Sequence, residues 1–69
     1  MDLVLENGKK RIAVECKASS SPQPEAGFWS ALGDLEPDEA WIIAPVQETY
    51  PIKKNVTVGR LQDFLGRLT

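Results

Sequence analysis

Asn7-Gly8 stands between two apolar runs, Leu3 to Leu5 and Ile12 to Val14, and this pair constrains the fold more than any other feature of the chain. A two-residue type I′ turn needs positive φ at both central positions, which Asn and Gly accept at little steric cost. The spacing predicts that "DLVLE" and "RIAVECKA" form an antiparallel hairpin. With Asn7-Gly8 as the turn, Glu6 faces Lys9, Val4 faces Arg11 and Asp2 faces Ala13. Leu3, Leu5, Ile12, Val14 and Cys16 then share an apolar face, where Cys16 is expected as a buried, inert thiol. Asp2, Ala13, Glu15 and Lys17 share the other face.

Downstream, "SSSPQP" breaks the alternation, and Pro24 is placed to open a helix in which Phe28, Leu32 and Leu35 fall on one side. "AWIIAPV" is a continuous apolar run between Pro37 and Pro45, as expected of a strand buried on both faces. The helix before it predicts a parallel, right-handed crossover from the second strand. Tyr50 to Val58 reads as one more strand, interrupted at Lys53, Lys54 and Asn55. "GRLQDFLGRLT" closes the chain as a helix with Leu61, Phe64, Leu65 and Leu68 on one stripe. The expected architecture is α/β: a four-stranded mixed sheet with two helices, in the order strand, strand, helix, strand, strand, helix.

A chain of 69 residues makes a single domain. At this size folding buries only about 60% of the unfolded surface, so self-association through an exposed face or edge is expected. One cysteine and no histidine exclude an internal disulfide, a Cys/His zinc site and any triad with an imidazole base. A metal here would be held by oxygen. No apolar run reaches the roughly 20 residues that span a bilayer, and no secretion signal opens the chain, so no membrane partner and a cytoplasmic setting are expected. A net charge of −2 weighs against a strong non-specific nucleic-acid binder. Lys9, Lys10 and Arg11, with Lys53 and Lys54, leave nucleic acid open as a partner.

The charged face of the hairpin carries the chemistry. In the expected register Asp2 and Glu15 are diagonal neighbours, about 7–8 Å apart at the backbone, close enough for two carboxylates to share one cation. Mg²⁺ takes such oxygen ligands and keeps several waters. Asp2 and Glu15 are therefore candidate Mg²⁺ ligands, and Lys17 is a candidate to steady charge on a phosphoryl oxygen. Each residue also has a plainer explanation. Residues two apart on a strand share a face, so Glu15 and Lys17 form an ordinary weak pair, and charges at a hairpin tip commonly serve only to solvate it. Trp29 and Trp41 are expected in the core rather than under nucleic-acid bases.

An Asp before a turn, followed by Glu-x-Lys on the next strand, resembles the PD-(D/E)XK nuclease core of the restriction-endonuclease-like fold, with Asp2, Glu15 and Lys17 at its three motif positions. "DLVLENGKKRIAVECKASSSP", "GFWSALGDL", "YPI" and "FLGRL" widen the resemblance. They are similar to the C-terminal domain of unknown function that follows the ATPase module in bacterial and archaeal AAA-type ATPases. The resemblance implies a nuclease-like domain truncated before its Asp strand, without the fold's first helix and without the ATPase module, since no G-x-x-x-x-G-K-[ST] loop occurs in the chain. It implies as partners the parent ATPase or a second copy. Membership does not imply activity. The expected role is a non-catalytic or cryptic interaction and assembly module. The alternatives are a metal-dependent phosphodiesterase using Asp2, Glu15 and Lys17, and a nucleic-acid-binding module without catalysis.

Overall fold

The first hairpin closes one residue later than the Asn7-Gly8 pair suggests. The computed structural model describes residues 1–69, and in it β1 (Leu3–Asn7) pairs with β2 (Lys10–Cys16) so that Asn7 faces Lys10 and Leu3 faces Val14. The turn is Gly8-Lys9, and of the two only Gly8 has positive φ, at 64°. A glycine alone at the first central position is the requirement of a type II′ turn, which takes the place of the expected type I′ turn. Moving the turn by one residue shifts the register by two, so the division into faces survives while the opposing partners change. Glu6 now faces Arg11, and Val4 faces Ala13.

After α1 (Ala26–Leu35), the chain enters β3 (Glu39–Ile43), which lies parallel to β2. The helix stops where Glu36 takes a left-handed φ of 47° and its N–H reaches back to the Leu32 carbonyl, with Pro37 next in the chain. The expected fourth strand is in fact two. β4 (Tyr50–Lys53) and β5 (Val56–Gly59) form a second antiparallel hairpin, because Asn55 adopts a φ of 65° and reverses the chain beside Lys54. The sheet therefore has five strands in the order β1-β2-β3-β5-β4, with β3 parallel to both neighbours. α2 (Leu61–Leu68) ends the chain.

The helices cover opposite faces of the sheet. On one face Phe28 of α1 packs with Ala13, Ala40, Ile42, Val56 and Val58, with Trp29 and Leu32 at the margin. On the other face Phe64 of α2 packs with Ile12, Val14 and Trp41. The ring centroids of Trp41 and Phe64 are 5.4 Å apart in an edge-on contact. Trp41 is core, as expected, whereas Trp29 is only half-buried beneath the Lys53 ammonium, 4.7 Å from its ring centroid. Of the apolar stripe on α2 only Phe64 is buried; Leu61, Leu65 and Leu68 are 53%, 51% and 44% exposed. An eight-residue helix seated through one aromatic side chain leaves the flanks of its stripe uncovered. Cys16 is also exposed, because it ends β2 beyond the cover of Phe64 and Trp41.

Gly59 is where the second hairpin meets α2. A Cβ there would stand 2.7 Å from Thr49 Cγ2 and Oγ1 and 2.8 Å from Trp41 Cζ3. Trp41 is wedged against Phe64, and Thr49 is held by hydrogen bonds to Asp63 and Arg60, so neither yields cheaply. Gly59→Ala is expected to destabilise the fold by about 1–3 kcal/mol. Its melting temperature should fall by at least about 4 °C, and an unchanged melting curve would show that the contact relaxes freely.

Candidate functional site

Period-two geometry sends Glu15 and Lys17 from the end of β2 to the sheet face covered by α1, and the structure joins them: Lys17 Nζ lies 3.7 Å from Glu15 Oε2. Lys17 lies equally far from Glu25 Oε1, just before α1. The Glu15 side chain is 14% exposed and also lies 3.7 Å from the Met1 ammonium. Lys17 continues the sheet beyond β2 by donating its own N–H to the Ile43 carbonyl. Asp2 precedes β1, and the observed register extended by one pair sets it opposite Glu15 rather than opposite Ala13. Its Oδ2 accepts a hydrogen bond from the Cys16 backbone N–H at 2.8 Å. That carboxylate closes the open end of the hairpin ladder in place of a main-chain carbonyl.

As arranged, these side chains bind one another and the backbone. Lys17 stands on the carboxylate that would hold Mg²⁺, Asp2 is turned to a main-chain donor, and no three Asp, Glu, His or Cys side chains converge as a metal-holding group. The present set is a poor fit to an Mg²⁺ centre. Beside it, at the carboxyl ends of the parallel strands, lies an open crevice of about 560 Å³ lined by Cys16, Lys17, Ile43, Ala44, Arg60 and Gln62 among others. The basic tip of the first hairpin is largely engaged. Lys10 lies 3.4 Å from Glu39, and Arg11 reaches both Glu6 and the Leu35 carbonyl.

Two further polar networks hold the sheet to its helices, the first with no local signal in the sequence. Glu39 joins β2, β3 and α2 by accepting from Trp41 Nε1 at 2.8 Å and from the Arg67 guanidinium, with Lys10 alongside. Burial pushes the Glu39 carboxyl up, but the hydrogen bonds from Trp41, Arg67 and Lys10 outweigh it and hold the group below its usual range. At the start of α2, Thr49 Oγ1 donates to Asp63 Oδ2 at 2.5 Å, and Arg60 pairs with the same carboxylate. The Thr49 bond, then the Arg60 bond, keeps Asp63 below the usual range as well. Only the Arg60-x-x-Asp63 spacing signals this second network in the sequence.

Both carboxyls are lower in the folded than in the unfolded chain, so their stabilisation is complete above the unfolded values near pH 4 and is lost as pH falls through the folded ones. The urea midpoint should therefore be level from about pH 7 to pH 5 and fall below about pH 4. Glu39→Gln should lower the neutral plateau and flatten the acid limb. A variant whose acid limb stays parallel to the wild type would remove Glu39 as a source of the dependence.

No curated protein and no solved structure matched the chain. No helix is long and apolar enough to cross a membrane. A family model described as a domain of unknown function, DUF4143, matches residues 1–64. With nearly the whole chain inside that match, the protein belongs to the DUF4143 family.

Proposed function

We propose that this domain is a nuclease-like interaction and assembly module of an AAA-type ATPase family protein, not a catalyst in its own right. The observation that carries this is the use made of the three motif residues. Asp2 anchors the hairpin end through the Cys16 N–H, and Glu15 and Lys17 neutralise each other across 3.7 Å. Residues placed for chemistry in the resembled nuclease core here serve as connections within the scaffold. The PD-(D/E)XK likeness and the ATPase context remain part of the proposal, supported by the quoted motifs and by a mixed sheet with a parallel centre and a helix on each face.

One observation favours a second function, metal-dependent phosphodiester hydrolysis. Asp2, Glu15 and Lys17 do gather at one end of the first hairpin, and the observed register brings Asp2 level with Glu15. The two are separated by assaying single-stranded DNA, duplex DNA and RNA with Mg²⁺ or Mn²⁺, alongside a metal titration followed by NMR at Asp2, Glu15 and Lys17. A folded wild type is expected to cleave none of them and to show no selective shifts. Metal-dependent cleavage that Lys17→Ala abolishes would replace the assembly role with the catalytic one.

A further inference from the structure

The two edges of the sheet are unequally protected. β4 carries Pro51, Lys53 and a bulge between them, each a feature that discourages pairing with another strand. β1, "LVLEN", carries no proline, lysine or bulge, and its Leu3 is 48% exposed. Leu3 lies on the α2 side of the sheet, as Leu5 does, and on that side α2 leaves Leu65 and Leu68 half-exposed. Leu5 and Leu68 line one cleft with Ile12.

The hydrogen bonds of β2 show which groups of β1 are free. The Cys16 N–H points toward β1, at Asp2, while the Lys17 N–H points toward β3, at Ile43. Alternation along β2 then directs Val14, Ile12 and Lys10 to Leu3, Leu5 and Asn7, so the main-chain groups of Val4 and Glu6 face outward. We infer that β1 is a homodimer interface, pairing antiparallel with β1 of a second copy about a two-fold axis through Leu5. Val4 of each protomer faces Glu6 of its partner, and each pair exchanges both main-chain hydrogen bonds. Leu5 meets its own copy on the α2 side, and Leu3 faces Asn7. Two other registers are open to these groups: one centred on Val4 sets Asp2 opposite Glu6 at both ends, one centred on Glu6 sets that residue opposite its own copy, and in both like charges repel. The Leu5-centred register opposes no like charges. This inference deepens the assembly role and rests on it.

Sedimentation of the wild-type chain from micromolar to submillimolar concentration should show a monomer-dimer equilibrium. Glu6→Pro removes an outward N–H that no strand of the same chain uses, and should weaken the dimer on the order of tenfold or more while leaving the circular dichroism unchanged. In a Cys16→Ser background, Leu5→Cys places two cysteines across a non-hydrogen-bonded pair with Cα atoms about 4.5 Å apart, within disulfide range. It should cross-link under mild oxidation, whereas Leu3→Cys, whose copies stand about 14 Å apart, should not. A wild type that stays monomeric throughout, a dimer unaffected by Glu6→Pro, or equal cross-linking at Leu3 and Leu5 would overturn the interface. A monomer that neither cleaves nucleic acid nor cross-links leaves the assembly role standing without this interface; metal-dependent cleavage removes that role whatever the sedimentation shows.

Discussion

Everything in this small fold hangs on β3 being buried from both sides. Ala40 and Ile42 face the α1 layer, Trp41 faces the α2 layer, and each is at most 6% exposed. Parallel neighbours on both flanks take up the main-chain groups of the strand, so none of its polar backbone is stranded in the two apolar layers. Without that strand neither helix would have a continuous floor. A 69-residue chain has too little apolar surface for one thick core, and splitting it into two thin layers about a shared strand uses that strand twice.

How far the sequence discloses such a fold depends on whether the information is local. "AWIIA" reveals a doubly buried strand because its apolar run is unbroken, and the helix before it leaves a parallel crossover as the natural connection. The register of the first hairpin is less legible, because Asn-Gly suits the centre of a type I′ turn while Gly alone suits the start of a type II′ turn, and both keep the same faces inward. The split into β4 and β5 turned on Asn55 accepting a left-handed conformation, which a sequence permits without requiring. Exposure of Leu61, Leu65, Leu68 and Cys16 depends on how far the layers extend, a property of the assembled sheet that no window of residues contains.

The candidate site divides in the same way. Glu15 and Lys17 had to share a face, since they stand two apart on one strand, and they do meet. Their pairing with Glu25 and the Met1 ammonium, and the seat of Asp2 on the Cys16 N–H, are contacts between segments far apart in the chain. Glu39 shows the limit most clearly: its partners Lys10, Trp41 and Arg67 come from β2, β3 and α2, and only the folded sheet assembles them.

Under the two proposed functions, the Asp2 carboxylate would be put to different uses at the end of the hairpin. Closing the ladder satisfies the Cys16 N–H with a charge-assisted bond at an exposed position, where water is a ready substitute for the carboxylate. Lys17 is a second obstacle, for its ammonium lies 3.7 Å from two carboxylates at once and a divalent ion at Glu15 would meet it at close range. In a nuclease-like arrangement the lysine must face the phosphate while the carboxylates face the metal; here it faces the carboxylates. The orientation of Lys17 toward Glu15 and Glu25 is therefore the feature on which the proposed scaffold role chiefly rests.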